Sequence, residues 1–287
     1  MNRWLGRWRQ GGIEHYSVEP TPRPLPVWRS GERFFVNEER IWLDTLPSSC
    51  QGLRIVQISD IHHGLFLTKE WLSDAVKKAN RLKPDIIALT GDYVTYSRRN
   101  IEPAAEILGR LRARLGVYAV LGNHDFRVDA DAVTSALKRQ HIDVLRNRHV
   151  DLRLGGESFY LAGVDDYGYG ADLRRAVKGI PQEAARVLLA HNPRIIHLAS
   201  RHGVSLVLSG HTHGGQVNIP LLGTVYGKSP ERLRYKIGWD RMGATQIYVS
   251  RGIGTIVLPC RLRCPAEITH LELLQGASGA SPLVAAD

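Results

Sequence analysis

A chain of 287 residues suffices for one large α/β domain or two small ones, with a core that needs no disulfide or metal staple. Hydrophobic residues at 43% and charged residues at 23% are those of an ordinary soluble globular protein, which sets aside fibrous and disordered classes. A formal net charge of +10 points to an anionic partner, whether nucleic acid, a membrane surface or a phosphate-bearing substrate.

Residues 1 to about 30 read as an arm. Trp4 and Trp8 would share one helix face among Arg3, Arg7 and Arg9, a pattern suited to lipid contact or to packing on the domain. The run Pro20-Thr21-Pro22-Arg23-Pro24-Leu25-Pro26 favours extended polyproline structure. The start lacks the apolar region of a signal peptide, and no stretch approaches the roughly 20 apolar residues of a membrane span. Residues 33 to 43 are expected to form a strand leading into the core.

From there strands and helices alternate. A strand at 53–58 is followed by a helix capped by Thr68, with Trp71, Leu72, Ala75, Val76, Ala79 and Leu82 at a 3.6 period and Pro84 closing it. A strand at 85–89 precedes a helix capped by Asn100 with Pro103 in its first turn. A strand at 116–121 precedes a helix over 129–140. Further strands are expected at about 150–154, 158–164, 186–190, 204–208, 246–250 and 267–274. The near-continuous apolar strands call for two sheets packed together with helices outside and some antiparallel pairing in the second half. The expected organisation is an arm over 1–46, a domain over 47–274 and a Gly/Ala/Ser-rich tail over 275–287. Cys50, Cys260 and Cys264 are too few and uneven for a disulfide framework and read as small thiols.

Five strand ends carry chemistry. They deliver Asp60-Ile61-His62-His63, Gly91-Asp92, Gly122-Asn123-His124-Asp125, His191-Asn192 and Gly210-His211-Thr212-His213. Ligands of open α/β sheets bind beyond the carboxyl ends of strands. In extended chain, Asp60 with His62 and His211 with His213 would each aim two groups the same way; His63 would point elsewhere. Imidazole, carboxylate and amide donors without thiolate suit Mn, Fe, Zn, Co or Ni. Seven donors exceed the need of one tetrahedral ion, so two divalent ions sharing a carboxylate, about 3.5–4 Å apart, fit better. From Lys228 to Arg263 there are eight basic residues against two acidic ones. Arg251 and Arg261 in that segment are expected to hold a substrate phosphate, since guanidinium groups bind phosphate in a bidentate manner.

These five blocks, over about Leu53 to Leu274, resemble the calcineurin-like metallophosphoesterases. The resemblance implies a four-layer αββα sandwich, two mixed β-sheets flanked by helices, and a binuclear centre in which Mn or Fe is favoured. It implies Asp60, His62 and His213 on one ion, Asn123, His191 and His211 on the other, and Asp92 between them. It also implies His124 as the acid beside the substrate, oriented by Asp125.

The segments His213-Gly214-Gly215-Gln216-Val217, Tyr248 to Gly254 and Cys264-Pro265-Ala266-Glu267-Ile268 are similar to a bacterial membrane-associated branch. Its members act as phosphodiesterases, including on phospholipids and on a UDP-linked lipid A precursor, as UDP-diacylglucosamine pyrophosphohydrolases do. The expectation is thus a phosphodiesterase or pyrophosphohydrolase acting on a phosphate-containing small molecule or lipid. It would be cytoplasmic and peripheral on the inner membrane face. Phosphomonoesterase, nuclease and non-catalytic binding module are the alternatives. Nucleic acid is disfavoured because no basic run interleaves with aromatic residues. Neither motif nor charge sets an oligomeric state.

Overall fold

The computed structural model describes residues 33–64, 66–219, 223–224 and 235–276. The arm with Trp4, Trp8 and the proline run, the basic residues Lys228, Arg232 and Arg234, and the tail beyond 276 lie outside the described residues. In chain order the elements are β1 Phe35–Leu43, β2 Leu53–Ile58, α1 Lys69–Arg81, β3 Ile86–Leu89, α2 Ile101–Leu108, β4 Gly116–Ala119 and α3 Asn123–Arg139. There follow β5 Asp143–Val144, β6 Arg148–Leu154, β7 Glu157–Gly163, α4 Leu173–Ala176, β8 Arg186–Leu189, α5 Ile196–Ala199 and β9 Leu206–Ser209. The last are β10 Asn218–Ile219, β11 Gly223–Thr224, β12 Gly238–Met242, β13 Thr245–Val249 and β14 Glu267–Gln275.

One six-stranded sheet has the order β1-β14-β2-β3-β4-β5 and the other β12-β13-β9-β8-β7-β6. Both are mixed. β2, β3 and β4 run parallel, as do β7, β8, β9 and β13, while β14–β2, β6–β7 and β12–β13 are antiparallel.

Alternate residues of each strand serve different layers, because successive side chains leave opposite faces of a sheet. Ile55, Ile86, Ala88, Phe159, Leu161, Val187, Leu189, Leu206 and Leu208 fill the space between the two sheets. Val56, Ile58, Ile87 and Leu89 pack outward against Leu72, Ala75 and Val76 of α1, Ala104 and Leu108 of α2, and Val133 and Leu137 of α3. Leu188, Val207, Ile247 and Val249 pack outward against Leu173 and Ala176 of α4 and Ile196 and Ala199 of α5. The result is helix, sheet, sheet, helix. Burial on both faces explains why the central strands read as apolar runs.

Local boundaries differ from expectation where tertiary contacts decide. Thr68 does cap α1, its hydroxyl accepting from the Trp71 amide at 3.3 Å. Asn100 sits at the start of α2 without a side-chain capping bond, since residues 98–100 already form a 3-10 turn. α3 begins six residues earlier than its periodicity suggests, at Asn123, because residues 123–128 form a separate turn joined to the amphipathic part at a break on Asp129. Asp129 caps that second part, its carboxylate accepting from the Ala132 amide at 3.0 Å. β5, of two residues, is too short to give a period, and β12 carries the polar pair Asp240 and Arg241, which breaks one. All three cysteines are free, Cys260 exposed and the other two buried. No helix among the described residues is long and apolar enough to cross a membrane.

Candidate metal centre

The loops after β2, β3, α3's preceding strand β4, β8 and β9 meet at one edge of the sandwich. The loops after β2 and β3 zip together: Asp60 N–H donates to Gly91 O at 3.0 Å and His62 N–H to Asp92 O at 2.9 Å. Gln57 ties the two sheets beneath the site, its amide donating to Thr90 Oγ1 at 3.0 Å and to Ser209 O at 2.9 Å. The Asp60 carboxylate, from the first sheet, accepts from the His211 amide of the second at 3.0 Å.

The donors converge by a different route from the alternation argument. Asp60, His62, Asp92, His211 and His213 have φ of +50°, +51°, +57°, +74° and +53°. Those loops are therefore not extended chain. Left-handed backbone on non-glycine residues costs on the order of 1–2 kcal/mol each, and such strain concentrates at functional sites. Gly91, at φ +93°, has no room for a side chain: a Cβ there would lie 2.6 Å from Gly122 N and 2.9 Å from His191 Nδ1. At Gly210 a Cβ would overlap Ser59 Oγ and Asp60 Oδ2.

The resulting cluster is dense. His62 Nε2 lies 3.0 Å from His213 Nε2, which lies 3.4 Å from Asp60 Oδ1. His191 Nε2 lies 3.1 Å from Asp92 Oδ2 and 3.2 Å from His211 Nδ1. Asp92 Oδ2 is also 3.5 Å from His62 Nε2. Asp60, His62 and His213 form one three-donor group and Asp60, Asp92 and His191 a second, each with donor atoms within 4.8 Å of one another. Asp60 thus belongs to both groups, beside Asp92, which touches a histidine of each.

The electrostatics call for positive charge. Burial pushes Asp60 up to about 6. Burial would raise Asp92 too, but the His191 charge and hydrogen bond, with His62 behind them, hold it well below the usual carboxylate range. His191 is the reverse: burial disfavours its charge, yet Asp92 and Asp60 lift it to about 10. Burial lowers His62 to about 3 and takes His213 well down, so both imidazoles are neutral.

Divalent ions fit these residues. The His191 Nδ1–H is committed to Thr90 O at 2.8 Å, so a cation that displaces the Nε2 proton would meet a lone pair beside the Asp92 carboxylate. The Nε2 atoms of His62 and His213 face each other, and Asn123 Oδ1 is buried with no hydrogen-bond partner among the described residues. Converging lone pairs of N and O donors are what a borderline divalent cation requires.

His124 stands at the cluster's rim. Its ring is 5.0 Å from that of His62, its amide donates to Asp92 Oδ1 at 2.8 Å, and its Nδ1 lies 3.3 Å from Thr95 O. The expectation that Asp125 orients the His124 ring takes another form. The Asp125 carboxylate accepts from the amides of Asp92 at 2.8 Å, Gly122 and Tyr93 at 2.9 Å and Val94 at 3.3 Å. It locks the Asp92 loop to the Asn123 loop, and Thr95 O is what faces the ring. Burial and the Asp92 charge push the Asp125 carboxyl up to about 8.

The two arginines expected to meet a substrate phosphate sit differently. Arg261 donates to the carbonyls of Arg251 at 2.8 Å, Gly254 at 3.0 Å, Cys264 at 3.3 Å and His213 at 3.5 Å, and so ties its loop to the ligand loop. Arg251 lies over the Phe35 ring at 5.6 Å, with Nη1 3.3 Å from the buried Glu267 carboxylate. For Arg261, buried carbonyl acceptors consume the donors that phosphate would need. His63 is buried outside both donor groups.

Two residues escaped the motif reading. Thr95 Oγ1 lies 3.0 Å from His62 Nδ1, so a single threonine contacts both His62 and His124. Asp166, 2% exposed, follows β7 and feels the charges of His191 and Asp92. The strand-end rule applied to β7 would have found Asp166; nothing local marks Thr95.

Comparison with known proteins agrees with this geometry. Residues 53–215 match the calcineurin-like phosphoesterase family. The "Transmembrane protein with metallophosphoesterase domain" of Danio rerio is 34% identical over 255 residues, covering 84% of this chain. The chain spans only 57% of that relative's length. "Phosphodiesterase YaeI" of Escherichia coli is 32% identical over 228 residues, covering 77% of this chain and 82% of its own. Among solved structures, the sulfate thiohydrolase SoxB of Thermus thermophilus superposes with a TM-score of 0.50 at 15% identity, covering 78% of this chain and 57% of its own, a likeness of fold alone.

Proposed function

The chain belongs to the calcineurin-like phosphoesterase family, and from that premise we propose that it is a hydrolase of phosphoric esters, a phosphodiesterase or pyrophosphohydrolase acting on a lipid-linked or other organic phosphate. The observation that carries the reading is the pair of buried three-donor groups sharing Asp60, which asks for two divalent ions. Asp60, His62 and His213 would hold one ion; Asn123, His191 and His211 would hold the other. Asp92 would join them, since its Oδ2 reaches a histidine of each set, at 3.5 Å and 3.1 Å. When bound, the ions supply positive charge for the phosphate oxygens and ease deprotonation of the attacking water.

The chain's own groups do the rest. Thr95 O fixes the proton on His124 Nδ1, which leaves Nε2 as the end that can hand a proton to the departing alkoxide. Asp92 Oδ1 holds the His124 backbone in place through its amide. Asp125 keeps two ligand loops in register by accepting hydrogen bonds from four backbone amides. A lipid-linked substrate would bring the chain to a membrane surface, which a net charge of +10 favours where lipids are anionic.

The test compares bis(p-nitrophenyl) phosphate with p-nitrophenyl phosphate, in Mn²⁺ and in EDTA. Metal-dependent cleavage of the diester with little of the monoester is the expected result. Preference for the monoester would overturn the diesterase reading, and undiminished rate in EDTA would overturn the two-ion centre.

A further inference from the structure

Two adjacent aspartates follow β7, and their surroundings differ. Asp165 is fully engaged: Arg146 donates to it from Nε at 2.9 Å and from Nη2 at 3.2 Å, and its own amide donates to Asn147 Oδ1 at 3.1 Å. Asp166 is held differently. It is 2% exposed and lies toward the cluster, where it feels His191 and Asp92. Its Oδ1 accepts from the Gly168 amide at 3.0 Å, which fixes the plane of the carboxylate. Its Oδ2 is buried with no hydrogen-bond partner among the described residues. It is also absent from both three-donor groups.

A buried carboxylate oxygen left unpaired is disfavoured by desolvation, and such an atom in a folded protein calls for a partner. The loop is built to hold it still. Asn147 Nδ2 donates to Gly170 O at 3.0 Å, Tyr169 stacks on Phe126 with ring centroids 4.9 Å apart, and Arg127 Nε donates to the Tyr169 hydroxyl at 3.3 Å. Phe126 sits two residues from His124, so the loop flanks the end of the site where the acid stands. Tyr167 and Tyr169 leave this rim 44% and 39% exposed, open to a ligand.

We propose that Asp166 is a specificity residue that accepts a hydrogen bond from a hydroxyl or ammonium group on an alcohol arm of the phosphodiester. This rests on the diesterase reading above. A phosphodiester itself offers only acceptors, so a carboxylate beside it is useful only toward a donor carried elsewhere on the substrate. An ammonium would gain charge pairing as well as the hydrogen bond.

The experiment uses three substrates with one leaving group: ethyl, 2-hydroxyethyl and 2-aminoethyl p-nitrophenyl phosphate, assayed with Mn²⁺. Wild-type kcat/KM should be lowest for the ethyl ester. Asp166→Asn should lower the aminoethyl ester about 10–100-fold and the hydroxyethyl ester less, because an amide oxygen still accepts. Asp166→Ala should lower both, with the ethyl ester and the bound-metal stoichiometry unchanged. The larger loss identifies which donor the natural substrate carries. Equal wild-type rates on all three esters, a uniform loss in the variants, or loss of metal would overturn the inference while leaving the diesterase intact. No cleavage of any of the three would overturn the diesterase reading, and this inference with it. Asp166→Asn retains the acceptor for the Gly168 amide; thermal unfolding confirms that both variants are folded.

Discussion

Thr95→Val probes the metal centre through one atom. An imidazole that binds a cation through Nε2 must carry its proton on Nδ1, and in His62 that Nδ1 lies 3.0 Å from Thr95 Oγ1. Valine keeps the shape of threonine and deletes the acceptor, leaving a buried N–H unpaired at about 1–3 kcal/mol. The penalty falls on the metal-bound state. In the metal-free protein His62 is neutral, its ring held near 3 by burial, and it is free to take the other tautomer with the proton on Nε2 toward His213. The affinity of one ion should therefore fall about 10–100-fold. Stability of the metal-free protein should change by less than about 1 kcal/mol. Chelator-buffered metal titration followed by calorimetry should resolve one weakened site of two, with Thr95→Ser restoring it. Unchanged affinity at both sites would show that the threonine hydroxyl does not hold the ligand's tautomer.

Other perturbations test the neighbouring parts. His124→Ala should retain metal while the rate on a diester with a poor leaving alcohol falls by about 10²–10⁴-fold; a full rate on that substrate removes His124 from proton transfer. Asp125→Ala strips the acceptor from four buried amides and should cost about 3–5 kcal/mol in urea unfolding, a loss below about 1 kcal/mol being incompatible with the hydrogen bonds described. Gly210→Ala would drive a methyl group into Ser59 and Asp60, so metal analysis should show less than full occupancy while normal stoichiometry would contradict the close approach. Removing bound ions should lower the melting temperature by at least about 5 °C if they were present at 100 times their dissociation constant, and a melting curve indifferent to chelator would argue against ions held by the native fold alone.

The strand ends and their donors were legible in the sequence, because both signals are local. Apolar runs such as Ile86–Leu89 and Leu206–Ser209 announce buried strands, and the polar residue just past each run is then bound to emerge at the carboxyl edge. The identity of the donors, imidazole and carboxylate without thiolate, already pointed to divalent cations. Helix α1 was equally plain, since its period and its Thr68 cap lie within one contiguous stretch.

What only the tertiary structure decided depends on residues far apart in the chain. The left-handed backbone at Asp60, His62, Asp92, His211 and His213 has no signature in a non-glycine sequence, so alternation was the wrong reason for the right convergence. Arg261 reads as a phosphate ligand until its donors are found on the carbonyls of Arg251, Gly254 and Cys264. Thr95 carries no local mark because its role is a relation to His62 across 33 residues, whereas Asp166 stands just past a strand end and only its surroundings are tertiary. Periodicity and composition report which face a residue occupies; which atom meets it there is decided when the two sheets close.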